Sequence, residues 1–274
     1  MPPGREGRGG SARRPQRRAP RDPKASFGHG PRPDDFVVGG RRAVTEAIRS
    51  GRARRILVVE GSRENEGLRS LIEAATGAGL TPEDVGVEEV QALGLFNHQG
   101  VAAFVEAPKE LDDRRFTATG FEPVSLVVVL DGILDPQNFG ACARSAEAAA
   151  ASMLVARKRR AAPVTPGAVR ASAGALLHLP VARVTNLARA LEQLKEKGFL
   201  VVGLDQRAPV DIHEAPAPPR PLAVVVGSEE TGISRLVLEG CDQTVSIPLA
   251  GRTASLNASA ALAVGLFGFA LRRT

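Results

Sequence analysis

Three polar clusters interrupt the apolar second half of the 274-residue chain, each directly after a strand-like run. The first is VVLDGILDPQNFGACARSAEA. Asp135 and Pro136 suit the cap and first position of a helix, Asn138 and Arg144 project from its first turns, and Gly140 leaves room for close backbone approach. The second is VVGSEETGIS, where Gly227 follows the strand at once and Glu229 stands at its carboxyl end. The third is SIPLAGRTASLNASAALAVGLF, in which Ser255, Asn257 and Ser259 crowd the mouth of an Ala-rich helix. A cap at Ser255 accounts for one of those polar residues, a solvated turn accounts for Glu229, and a surface position accounts for Arg144. Neither reading covers the ensemble. Ligands of open parallel sheets sit beyond the carboxyl ends of strands, so three polar loops at strand ends describe a binding site.

Several chemistries are excluded. None of the histidines, His29, His98, His178 and His213, falls in the three loops, so a His-based triad is absent. Ser255 lacks a GxSxG setting, and neither GxxxxGK[ST] nor GxGxxG after a strand occurs. The two cysteines, Cys142 and Cys241, form no CxxC, so no metal site and no disulfide framework is expected. That cysteine usage suits a reducing, cytoplasmic setting.

The elements that must carry these loops follow from periodicity. Apolar runs predict strands over 126–130, 153–155, 179–184, 200–204, 222–226 and 244–247. Helical stretches are expected over 138–150, 166–176, 186–196, 234–239 and 256–271. LVVVL and LAVVV are continuously apolar, as strands covered on both faces are, so the fold class is α/β with a parallel sheet between helices. Residues 36–106 read as a small separate αβ domain, and the polar, turn-rich residues 107–123 as a mobile linker to a domain over 124–274. No internal repeat is visible.

The net charge of +6 is unevenly placed. Residues 1–33 hold nine basic side chains against Glu6 and Asp22, a balance of +7, so the remaining chain is near −1. The Gly/Pro/Arg-rich tail over 1–35 cannot form a core and reads as disordered, with phosphate contacts to nucleic acid as its expected use. A second basic run, Arg157 to Arg160, could track an RNA backbone. The basic N-terminus has no apolar run behind it, so no secretory signal is expected. The longest apolar stretch, 258–271, is shorter than the ~20 residues of a membrane span.

Taken together, the loops resemble the motifs of the SpoU (TrmH) family of the SPOUT superfamily, the RNA 2′-O-ribose methyltransferases. The pattern N-x-G-x-x-x-R is met by Asn138, Gly140 and Arg144. G-x-E-x-x-G is met by Gly227, Glu229 and Gly232. I-P-x-x-G-x-x-x-S-L-N-x-S is met by Ile247, Pro248, Gly251, Ser255, Leu256, Asn257 and Ser259. Residues 172–191 look like the family's middle segment, and the resemblance covers about 124–274. Ala258, Leu249 and Phe267 depart from the usual valine, methionine and tyrosine as packing changes. VGGRRAVTEAI (38–48) and Asn97-His98-Gln99-Gly100 resemble the L30e-like substrate-binding module of RlmB-like members.

The resemblance implies a deep trefoil knot, an obligate homodimer and S-adenosylmethionine as methyl donor, bound against Gly227, Ile247, Leu256 and Leu204. Asn138, Arg144, Glu229, Ser255 and Asn257 form the implied catalytic set, with Asn138 and Glu229 orienting Arg144 or the ribose. Guanidinium keeps its proton in proteins, so Arg144 suits phosphate binding and oxyanion stabilisation better than proton abstraction. RNA is expected on Arg41, His98, Gln99, Arg157 and Arg159; since the chain has no Trp or Tyr, Phe96 is a candidate stacking residue, although burial trends favour reading it as a core aromatic. No DNA and no membrane partner is expected. A guanosine of 23S ribosomal RNA is the favoured target. A tRNA ribose, or a non-catalytic RNA-binding role, stands as the alternative. A classical glycine-rich methyltransferase loop is ruled out, because DGILDPQN follows the first strand.

Overall fold

The computed structural model describes residues 35–95, 97–216 and 221–270. The basic tail and Phe96 therefore lie outside the described residues. The chain first builds β1 (Asp35–Gly39), α1 (Arg41–Arg49), β2 (Ala53–Val59), α2 (Glu66–Gly77), β3 (Glu83–Val85), α3 (Val87–Ala92) and β4 (Val101–Glu106). These strands form a four-stranded sheet in the order β1-β4-β2-β3, antiparallel except where β2 meets β3. α1 turns Ala43, Val44, Ala47 and Ile48 inward, the i, i+1, i+4, i+5 stripe of a helix lying on a sheet.

The second unit begins earlier than its sequence suggests. The expected linker 107–123 contains β5 (Glu110–Leu111), which joins the larger sheet, and α4 (Asp113–Ala118), which packs against β8. Tertiary contacts hold them, not local pattern. Arg183 donates to Glu110 Oε1 at 2.6 Å and to the Ala162 carbonyl at 2.8 Å, while its guanidinium stacks over Phe139. Asp113 accepts from the backbone and hydroxyl of Thr185, bonds that lower its pKa. The segment over 107–123 is thus tied to the second sheet rather than free.

From there the chain alternates: β6 (Leu126–Asp131), α5 (Pro136–Ala148), β7 (Met153–Arg157), α6 (Pro166–Ala171), a 3-10 turn over Ala175–Leu177, β8 (Val181–Val184), α7 (Leu187–Glu196), β9 (Leu200–Leu204), β10 (Leu222–Gly227), α8 (Arg235–Glu239), β11 (Gln243–Val245) and α9 (Ala258–Ala270). Seven strands form one all-parallel sheet in the order β11-β9-β10-β6-β7-β8-β5. Alternate residues of each strand serve opposite faces. Leu126, Val128 and Leu130 pack under α5, α6 and α9, while Val127 and Val129 pack with α4, α7 and α8. Burial on both faces is what the unbroken apolar runs require.

One expected helix, over 166–176, is broken. Ala173 and Gly174 take positive φ values, and a side chain on Gly174 would run into Glu46 of α1 at 2.5 Å. The break is where the two units meet. Val38, Ala43 and Val44 of the first join Ala168, Val169 and Leu176 of the second in one apolar cluster.

Candidate active site

β6 and β10 are neighbours, with Asp131 level with Gly227, and β9 flanks β10 with Leu204 level with Val226 and Val245. The three polar loops therefore leave the same end of the sheet, with β9 between the second and the third. Asp131, 2% exposed, ties the first loop to the second and to the end of β7: it accepts from Arg157 Nε at 3.0 Å, Arg157 Nη2 at 2.9 Å and the Ser234 backbone at 2.8 Å. Arg157 also donates to the Ser234 hydroxyl. The expectation that Arg157 faces RNA is thus corrected, because its guanidinium is spent on the scaffold. Arg159, two residues on, is exposed.

Each loop is shaped by its own chemistry. Asp135 caps α5 by accepting from the backbones of Gln137 and Asn138. This fixes Asn138 at the helix mouth, half-buried. A Cβ on Gly140 would enter the Ala168 carbonyl and sit 2.7 Å from Ala171, so this glycine serves the close approach of α6. After β10 the chain doubles back on itself. Gly232 donates to the Ser228 carbonyl, and the Ser228 and Thr231 hydroxyls lie 2.8 Å apart. Gly227 is wrapped so closely by Gly232 and Ile233 that no side chain fits there.

Asn257, not Ser255, caps α9. Its Oδ1 accepts from the Ser259 backbone at 2.9 Å and the Ser259 hydroxyl at 2.6 Å. Its amide Nδ2 points the other way, donating to Glu229 Oε1 at 2.6 Å and Asn138 Oδ1 at 3.0 Å. Asn138 Nδ2 donates to the same Glu229 oxygen at 2.7 Å. One carboxylate oxygen thus collects two amides from chain segments 119 residues apart. The crowding at Ser255, Asn257 and Ser259 has its reason here: the helix start and the site share one side chain.

Beside this network lies a cavity of about 420 Å³ at the ends of β9, β10 and β11, a size typical of small-molecule sites. Leu204, Gly227, Ile247 and Leu256, expected to hold a cofactor, all line it, and Glu229 and Ser255 stand at its edge. Small residues of α9 make the space: Ala258 and Ala261 line the wall, and Gly265 lets the helix close on Leu204. Asp205, Gln206 and Arg207 also line it. Gln206 Nε2 donates to the Ile247 carbonyl, and the Arg207 guanidinium beside Asp205 lowers that carboxyl's pKa. These three were missed in the sequence, although LVVGLDQR is a fourth polar loop at a strand end. Among the described residues no cluster of His, Cys, Asp and Glu could hold a metal ion.

Arg144 is not brought into the network. It lies six residues after Asn138, about 9 Å along α5 and roughly a third of a turn round it. It lines a different cavity, between the two units, with Arg41 and Gln99. Gln99 Oε1 accepts from the Arg41 backbone at 3.1 Å. His98 Nδ1 accepts from the Gly100 backbone, which leaves its other ring nitrogen for a ligand. Asn138 and Glu229 therefore do not orient the Arg144 of their own chain.

Residues 125–267 match the SpoU rRNA Methylase family. The chain belongs to that family. Residues 37–111 match the RNA 2′-O ribose methyltransferase substrate-binding domain. A TrmH family tRNA/rRNA methyltransferase of Bacillus subtilis is 39% identical over 241 residues, covering 87% of this chain and 95% of that one. Its counterpart in Staphylococcus saprophyticus is 35% identical over 236 residues, covering 85% and 94%. Among solved structures, the SpoU methyltransferase AviRb of Streptomyces viridochromogenes, in complex with AdoMet, is 28% identical with a TM-score of 0.71, covering 88% of this chain and 91% of that one. This SpoU family member thus carries both units of its relatives, the RNA-methylase sheet and the substrate-binding domain.

Proposed function

We propose that this protein transfers a methyl group from S-adenosylmethionine to a ribose 2′-oxygen of RNA, with a guanosine of 23S ribosomal RNA as the favoured target. One observation carries this reading: the Asn138–Glu229–Asn257 network stands on the rim of the cavity that Leu204, Gly227, Ile247 and Leu256 line. The cavity suits an adenosine-bearing cofactor, since its walls are apolar and small while its edge offers backbone groups and the Gln206 amide. Once bound, that cofactor supplies an electrophilic methyl whose sulfonium leaves as a neutral thioether.

The chain's own part is orientation. The two amides fix Glu229 through one oxygen, and its other oxygen accepts the ribose hydroxyl at the cavity edge. Ser255 adds a hydroxyl on the same rim. Arg144 keeps its proton and acts by charge, binding a phosphate and stabilising negative charge on the attacking oxygen. Because it points away from its own chain's network, the reading favours a homodimer in which α5 faces a second copy's site. α9 supports this. It is apolar round its whole circumference, yet Val264 and Phe267 remain 39% exposed, with Leu134 65% exposed. Its path from the edge strand β11 back across β9 and β10 to α5 supplies the kind of crossing that a trefoil knot needs.

The test is incubation with labelled S-adenosylmethionine and either protein-free ribosomal RNA or bulk tRNA, followed by mapping of the modified nucleotide. A single 2′-O-methylguanosine in large-subunit RNA supports the whole reading. Label in tRNA keeps the chemistry and replaces the target. No transfer to RNA of either kind, or to immature ribosomal particles, refutes the enzyme.

A further inference from the structure

The cavity between the two units is a site in its own right. It encloses about 480 Å³ and is lined by Arg41, Arg42, Asn97 and Gln99 from the first unit and by Arg144 and Arg170 from the second. Four arginines line it, and among the described residues no Asp or Glu does. Some other surface arginines are neutralised at short range: Arg49 by Glu46, Arg63 by Asp84, Arg207 by Asp205 and Arg235 by Glu239. None of the four cleft guanidiniums makes a hydrogen bond or ion pair among the described residues. The nearest acids, Glu46 and Glu147, line the adjoining cavity rather than this one; Glu46 holds Arg49 at 3.0 Å there, and Glu147 lies 3.9 Å from His178. Four like charges around one cavity repel one another, and an anion relieves that repulsion. α1 begins at this cleft with Gly40 as its cap and its first N–H taken by Gln99 Oε1, which adds the positive end of a helix dipole.

We propose that this cleft is a phosphodiester site that grips the RNA backbone across the boundary between the units, with Arg42 and Arg170 as contacts. The inference rests on the RNA-methylation reading and deepens it. α5 links the two places: Arg144 lines the cleft, and Asn138 stands at the start of the same helix. The cleft is preformed, because Gly174 seats the second unit directly against α1. Arginine suits the task, since its planar fork matches phosphate oxygens and never loses its charge. The Gln99 carbonyl is engaged with the Arg41 backbone, which turns its NH₂ toward the ligand.

The test uses the full chain and a mixed-sequence single-stranded RNA, with affinity measured over a salt series. Arg42→Gln and Arg170→Gln are each expected to lower the slope of log affinity against log salt by about 0.7, and the double variant by about twice that. Arg235→Gln, on the opposite face of the sheet, is the control and leaves the slope unchanged. Calorimetric affinity for S-adenosylmethionine stays at the wild-type value in all of them. Phenylglyoxal labelling of the wild type, mapped by mass spectrometry, is an independent readout: the RNA protects Arg42 and Arg170 and not Arg235. An unchanged slope in a folded double variant, an equal fall for Arg235→Gln, or no protection overturns the cleft while methyl transfer by the wild type stands. A wild type that binds no RNA overturns the function and the cleft together.

Discussion

Asn257→Asp and Asn257→Ala, taken as a pair, separate the two jobs of one side chain. Alanine removes both. Losing the helix cap costs about 1 kcal/mol, and losing the amide donors to Glu229 and Asn138 costs about another 1 kcal/mol at this exposed position. The melting temperature should therefore fall by about 4–8 °C for a domain of this size. Aspartate keeps the cap, because its oxygens still accept from the Ser259 backbone and hydroxyl. In place of a donor 2.6 Å from Glu229 it sets a second negative charge. At a separation of about 3 Å the repulsion is of order 1–6 kcal/mol for effective dielectric constants from about 80 down to about 20, and exposure favours the lower end.

The pair answers by holding a proton, and it titrates as a unit. Its folded pKa is raised above the unfolded value near about 4, so full stability is present below that pH and is lost as pH rises through the raised value. Thermal melting of the wild type and both variants, followed from about pH 4 to about pH 8, is the assay. Asn257→Asp should melt with the wild type at the acid end and progressively below it toward neutrality, while Asn257→Ala sits low throughout. Both should lose most methyl transfer at neutral pH. A difference between Asn257→Asp and wild type that does not change with pH would refute the proposed charge contact with Glu229. An alanine variant that melts with the wild type would refute the shared cap.

Gly227→Ala forces a methyl group into the backbone of Gly232 and Ile233 and deforms the cavity wall, so calorimetry should show cofactor affinity lowered at least tenfold. Burial pushes the thiols of Cys142 and Cys241 up to about 12. Ellman's reagent at about pH 8 should therefore find no fast thiol in the native chain and two after denaturation. Asp131→Ala strands the half-buried Arg157 and frees the Ser234 backbone, and should lower stability by about 2–4 kcal/mol in chemical denaturation. Arg183→Ala should release β5, read as faster proteolysis between residues 107 and 123.

Much of this architecture was legible before any coordinates. LVVVL and LAVVV announce doubly covered strands because burial on both faces admits no polar alternation. The loops after them announce a site because polar residues gather where strands end. The failures share a physical cause: each depends on a partner distant in the chain. β5 is two residues long and exists through Arg183 and Thr185, more than 70 positions away. Arg157 looks like a free cation until Asp131 is found beneath it. The helix over 166–176 has sound local propensity, and α1 of the other unit breaks it at Gly174. Arg144 follows the same rule, since its spacing from Asn138 specifies a helix but not which face the ligand meets.

The strand order β11-β9-β10-β6-β7-β8-β5 carries a consequence for the order of assembly. β5 to β8 make one contiguous half-sheet that can close while later residues are still being synthesised, in keeping with N-terminal segments folding first. β9, β10, β11 and α9 complete the other half. Asn138 belongs to the early half, whereas Glu229 and Asn257 arrive with the late one. A nascent chain halted before residue 257 holds the strands of the sheet, Asn138 and Glu229, but lacks the Asn257 amide that ties the two together. The complete network thus arrives only with the last helix, which also brings Leu262 and Leu266 to cover that face of the sheet.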